Sequence, residues 1–303
     1  MSLRSFCSGK AMPWFAIAVG VLVALTSKHS CAAEPAHFQD LRVEVVGTGR
    51  PVLMIPGLGS AASVWTETCA ALQPGVQCHL VQLPGFAGAP AVQKAQWLES
   101  MRDELLAYEA DRGLKQPVVM GHSLGGVLTL MMAAKAPAAA KRYVIVDSLP
   151  FLAGIRNPNA SAEDARRMAA PMREALLKAS DEESERQFRA SAAGMTRSPE
   201  RAKTIAAWGM ASDRATVAQS MSELWAADLR PLLPRIDRPV LVLGSWAAYE
   251  PMGATLESTG ALFRHQYEGL NGVQVRMSER GYHFLMWDDP DWLVSEVKAF
   301  IGQ

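Results

Sequence analysis

The segment PVVMGHSLGGVLTLMMAAKAP, residues 117–137, holds in one stretch a short apolar run, a Gly-x-Ser-x-Gly turn and an apolar helix stopped by Pro137. The run before the turn is continuously apolar rather than alternating. It predicts a strand buried on both faces, as in a parallel sheet covered by helices. The turn from strand to helix is so sharp that side chains flanking Ser123 would collide, so Gly121 and Gly125 stand there. Ser123 is then held above the sheet, with its hydroxyl at the N-terminus of the helix, where partial positive charge favours a developing oxyanion. The five-residue pattern alone is common by chance. Strand before and helix after make Ser123 a candidate nucleophile rather than part of an ordinary glycine-rich turn.

Outward from this centre, similar runs recur: LRVEVV (41–46), VLMI (52–55), CHLVQL (78–83), YVIVD (143–147), PVLVLG (239–244) and VQVRM (273–277). Helical patterns lie between them. AQWLESMRDELLAYEADRG (95–113) puts Trp97, Met101, Leu105 and Tyr108 on one stripe and stops at Gly113. Asp289 and Pro290 begin a last helix, where Asp288 and Asp289 are expected to cap free amides. Alternating strands and helices predict an α/β fold, a mostly parallel open sheet covered by helices. The rhythm breaks over 151–235, where Ser198-Pro199-Glu200 marks a helix start and Val217, Met221, Leu224 and Trp225 keep helical spacing. That stretch is too long for a plain loop and reads as a helical cap inserted between strands.

A serine hydroxyl needs a base within hydrogen-bond reach. Of the six histidines, His29 falls in the leader-like segment, His37 precedes the first strand, His79 opens a strand at its far end and His265 lies in helical FRHQYE. His122 adjoins Ser123 but is expected to point elsewhere on the turn. His283, in MSERGYHFLMWDDP, follows a terminal strand and precedes the last helix, so it can reach back over Ser123 as the general base.

IPGLGSAASVW after the second strand, GHSLGG, and GYHFLMWDDP near the end together resemble the α/β-hydrolase family, in the family's order and over nearly the whole chain after the leader. The resemblance implies an oxyanion hole from the backbone N–H groups of Leu58 and Leu124. Pro56 stands where many members have histidine. The family's acid commonly follows the strand corresponding to PVLVLG, but here SWAAYEP places Ala247 and Ala248 near that site and Glu250 a few residues late. Some members carry the acid one strand earlier, where this chain has Asp147. Asp147 and Glu250 therefore both remain candidates, and Asp147 can also simply cap the following turn. Either acid would hold the imidazole tautomer and stabilise imidazolium.

Arg4 and Lys10 precede the apolar run AMPWFAIAVGVLVAL (11–25), and TSKHS then leads to CAA before Glu34, the layout of a signal peptide over 1–33, with the enzyme domain over 34–303. Fifteen apolar residues interrupted by Pro13 fall short of the roughly 20 that a spanning helix needs, so removal is favoured over anchoring, and membrane contact is expected only if the leader stays. Export, to a periplasm or the medium, would leave Cys69 and Cys78, which a QPGVQ turn can bring together as a disulfide; two buried thiols are the plainer alternative. Asn159-Ala160-Ser161 fits a glycosylation sequon by pattern.

Lys plus Arg and Asp plus Glu are both 30, which gives no basic face to bind nucleic acid, and no CxxC pair suggests a metal site. The expected function is an exported serine esterase acting on a small-molecule ester through an acyl-enzyme, with no metal or organic cofactor. The same residues also suit thioester, amide or carbon–carbon cleavage, and a non-catalytic binding protein on the same scaffold is the alternative from another class. Oligomeric state and the physiological substrate are not legible in the residues.

Overall fold

Each of the seven apolar runs is a strand, and a three-residue strand precedes them in the computed structural model, which describes residues 36–155 and 160–302. The leader-like run and Asn159 lie outside the described residues. The strands are β1 (Ala36–Phe38), β2 (Leu41–Gly47), β3 (Gly49–Ile55), β4 (Gly75–Gln82), β5 (Val118–His122), β6 (Arg142–Val146), β7 (Val240–Gly244) and β8 (Gln274–Met277). They form one sheet in the order β1-β2-β4-β3-β5-β6-β7-β8. β1 and β2 run antiparallel to their neighbours, and every pair from β4 to β8 is parallel. Every residue of β5 and β7 is buried, as continuous apolar runs require at the centre of a covered sheet, whereas β8, at the edge, alternates exposed and half-buried positions.

The helices are α1 (Thr66–Leu72), α2 (Trp97–Asp111), α3 (Leu124–Lys135), α4 (Ala162–Lys178), α5 (Asp181–Ala193), α6 (Pro199–Ala211), α7 (Arg214–Ala226), α8 (Leu256–Gln266), α9 (Leu285–Asp288) and α10 (Pro290–Ile301). They cover the sheet on two sides. Ile55 and Val119 pack in one layer with the α2 stripe Trp97, Met101, Leu105 and Tyr108, all buried as the spacing predicts. Met120 and Val144 pack in the other with Trp65, Leu72, Leu293 and Val297. β4 starts three residues before Cys78, because Val76 continues the buried side and pairs with Arg50 across the parallel ladder.

α4 to α7 lie between β6 and β7, and each begins on a residue that satisfies the free amides of its first turn. Ser161 and Ser180 form reciprocal capping boxes with Asp164 and Glu183, Ser198 accepts from Arg201 N, and Asp213 accepts from Thr216 N. Cys69 on α1 and Cys78 on β4 are joined as a disulfide, with Cα atoms 6.1 Å apart.

Candidate active site

Ser123 occupies the turn between β5 and α3 with φ 53° and ψ −119°, a conformation that L-residues rarely adopt. The flanking glycines are obligatory: a Cβ on Gly121 would lie 2.1 Å from the carbonyl oxygen of Gly125, and one on Gly125 would lie 2.4 Å from that of Ile55. Ser123 N donates to Val146 O at 3.0 Å, tying the turn to the neighbouring strand. Leu124 is the first residue of α3, so its N–H has no partner within the helix. Gly57 and Leu58, from the loop after β3, line the same cavity as Ser123, and a Cβ on Gly57 would come within 3.2 Å of Ser123 Cβ.

Asp147 follows β6, also at positive φ (45°), and its N–H donates to Leu243 O on β7 at 2.7 Å. Its carboxylate receives three hydrogen bonds. His283 Nδ1 donates to Oδ2 at 2.7 Å, Ser245 N to Oδ1 at 2.6 Å and Ser245 Oγ to Oδ2 at 2.9 Å. With its proton on Nδ1, the neutral imidazole keeps a lone pair on Nε2. Ser123 and His283 both face one cavity of about 1190 Å³ between the strand ends and α4–α7. Of the two candidate acids, Asp147 therefore touches His283. Glu250 sits exposed in a short turn (Ala247–Met252) after β7. The residue after β7 that bears on the pair is Ser245, which clasps Asp147 rather than supplying an acid of its own.

His122 does more than adjoin the turn. It is buried, its Nε2 donates to the carbonyl of His283 at 3.0 Å, and the two rings lie 4.5 Å apart. Burial first, and then the nearby charge of His283, hold its pKa well below the ordinary value, so it is a neutral support for the loop that carries His283. The contact spans 161 positions, and no local pattern announces it. Asp288 and Asp289 also differ from expectation. Asp289 is the residue before α10 but makes no side-chain cap bond; it accepts instead from Ser278 Oγ and Arg280 Nε. Asp288 accepts from Tyr282 N, Thr196 Oγ1 and Arg197 N, joining the histidine loop to the α5–α6 connection. The remaining described histidines stand apart: His37 is exposed on β1, His79 is buried against Tyr108, and His265 is exposed beside Glu268.

A family model described as alpha/beta hydrolase family matches residues 52–296. Among curated proteins, the chain is 35% identical over 114 residues to a pimeloyl-[acyl-carrier protein] methyl ester esterase of Vibrio atlanticus, covering 38% of this chain and 42% of that one. It is 26% identical over 270 residues to the biotin biosynthesis bifunctional protein BioHC of Cellvibrio japonicus, covering 83% of this chain and 47% of that one. The chain thus spans less than half the length of these curated relatives. Among solved structures, a hydrolase from Pseudomonas aeruginosa PA01 superposes with TM-score 0.72 at 19% identity, covering 87% of this chain and 94% of that one. The enol-lactonase from Burkholderia xenovorans LB400 gives TM-score 0.72 at 17% identity, covering 89% and all of the other chain. These two likenesses are of fold.

Proposed function

Because the chain belongs to the alpha/beta hydrolase family, we propose that it is an exported serine hydrolase that cleaves carboxylic esters through an acyl-enzyme on Ser123. The observation that carries this reading is the Asp147–His283 hydrogen bond of 2.7 Å, placed over the cavity into which the strained Ser123 turn projects. The names of the curated relatives point to the same bond, since an esterase of a methyl ester is among them.

In the proposed cycle, His283 Nε2 takes the Ser123 proton as Oγ attacks the acyl carbon. The carbonyl oxygen becomes an oxyanion facing the N–H groups of Leu58 and Leu124, each such donor being worth about 10²–10³ in rate. The carbon–alcohol bond then breaks, His283 returns the proton to the departing alkoxide, and the acyl group stays on Ser123. Water gives a proton to His283 and its oxygen to the acyl carbon; the acyl carbon–Oγ bond then breaks, and His283 returns the proton to Ser123 Oγ as the acid leaves. Asp147 stabilises the imidazolium in both halves. An acid missing after β7 favours a merely binding scaffold, and the Asp147–His283 hydrogen bond argues against that reading.

Ser123→Ala should fold and lose at least about a thousandfold in turnover of a short ester, with no labelling by a fluorophosphonate. Unchanged turnover would end the mechanism. Export is supported by the leader layout of residues 1–33 and by the Cys69–Cys78 disulfide, a bond that persists in oxidising compartments. An intact mass of the protein recovered from its native location tests it, since removal of the leader leaves a chain beginning near Glu34.

A further inference from the structure

We propose that the cavity under α4–α7 receives a neutral ester with one long or bulky apolar arm, and that it turns away an arm ending in a carboxylate. This rests on the ester-cleaving reading above and adds the class of substrate. About 1190 Å³ exceeds the roughly 300–1,000 Å³ that encloses a drug-sized ligand, far more than a short ester needs. Two helices of the lining, α4 and α7, are apolar in stripes rather than in spots, while α5 sets Phe188 among Ser184, Gln187 and Ser191. Met172 and Leu176 are one turn apart on α4, and Val217, Met221 and Leu224 follow one face of α7, with Phe188 of α5 beside them. The apolar lining continues to the mouth, where Ile155, Met210 and Met252 remain 42%, 39% and 74% exposed. An extended chain can therefore stay in apolar contact from the rim inward.

Charge gives the second half of the argument. Among the described lining residues, Arg214 is the one Lys or Arg side chain, and its guanidinium already donates to the Ala179 carbonyl and the Asp181 carboxylate. Asp147, Asp181 and Asp213 line the same space, and Asp213 is held by Thr216 through N (2.8 Å) and Oγ1 (2.6 Å). A carboxylate brought in on the substrate would lose water beside Asp147, whose side chain is 8% exposed, with the exposed Asp181 and Asp213 adding screened like charge and the one lining cation already engaged.

The test uses two ester series, one lengthening the acyl chain from butyrate to decanoate on p-nitrophenol and one lengthening the alcohol on butyrate, each below its aggregation concentration. In one of them kcat/KM should climb by up to about fourfold per added methylene before levelling, and the series that climbs tells which arm the cavity holds. Methyl octanoate and the monoanion of monomethyl suberate, matched in length, should differ by at least about a hundredfold at pH 8. Met221→Trp, or Leu176→Trp should the first misfold, should lower the octanoate-to-butyrate ratio by filling the cavity. Ser123-dependent cleavage of butyrate with no climb in either series, with the suberate monoester cleaved as well as its neutral partner, or with an unmoved ratio in the filled variants would overturn this proposal and leave the serine mechanism standing. No cleavage of any ester and no fluorophosphonate labelling would remove the serine mechanism itself, and this proposal with it.

Discussion

A carboxylate held by three donors is fixed before any substrate arrives, and that is the state of Asp147. Asp147→Asn should lower kcat by about a hundredfold or more, since an amide no longer stabilises imidazolium, while Glu250→Gln should leave kcat near the parent value; steady-state rates on one short ester compare them directly. Ser245→Ala removes one of the three donors and keeps its backbone N–H, so a several-fold loss of kcat is expected, in line with about 1 kcal/mol for one hydrogen bond. Gly121→Ala belongs to a different category, because its methyl would overlap the Gly125 carbonyl, and its expected signature is a lower melting temperature or failure to fold. Ser123 and His283 are legible in the sequence because a strand–turn–helix pattern and a short list of histidines are local facts. Asp147 stays ambiguous there, since two strand ends can aim at one imidazole. Ser245 and His122 escape altogether, because their contacts close over 98 and 161 positions of chain.

Elements are more legible than contacts. Seven strands announce themselves as apolar, β-rich runs, most of them continuous, and the α2 stripe and the Ser198-Pro199 start of α6 follow directly from periodicity and capping. β1 is missed because three residues make no run, and the early start of β4 because a glycine and a polar Gln77 interrupt its apolar signal. Asp288 shows what an element-level reading overlooks. An acid next to a helix start is expected to cap it, yet this one joins two loops through Tyr282 N (3.1 Å), Thr196 Oγ1 (2.7 Å) and Arg197 N (3.0 Å). Phe284 N donates to Met195 O beside it, and Arg201 lies 4.6 Å from the Trp287 ring centre. Asp288→Ala should therefore loosen the α5–α6 connection and the His283 loop together. The expected result is a fall in kcat of about tenfold or more, accompanied by faster amide exchange over both segments and little change elsewhere. Loss of activity with unchanged exchange would mean that Asp288 does not link them.

For the molecule as a whole, two buried titratable groups set opposing pH dependences. His79 is held down to about 4 by burial, with Arg112 adding to it, so the unfolded chain binds the extra proton between about pH 4 and 6.5 and stability rises with pH across that window. Glu109, buried on α2 with neither carboxyl oxygen hydrogen-bonded among the described residues, is pushed up to about 8. There the folded chain holds the extra proton, and stability falls as pH rises from about 4.5 to 8. Up to pH 6.5 the rise from His79, joined by that of the likewise buried His122, opposes the Glu109 fall, and beyond it the Glu109 slope remains. Melting temperature should accordingly decline from about pH 6.5 to 8, and Glu109→Gln should flatten that decline. Reduction of Cys69–Cys78, which closes a loop over a separation of 9, should cost roughly 2–3 kcal/mol and several degrees of melting temperature. The position of Asp147 just after β6 carries a last consequence for the stretch after β7. Beyond Ser245, the turn holding Tyr249 and the 74% exposed Met252 lines the cavity and, under the proposed mechanism, carries no reacting group, so it is a region where evolution or an engineer can rewrite the doorway, even its length, while the reacting groups keep their positions.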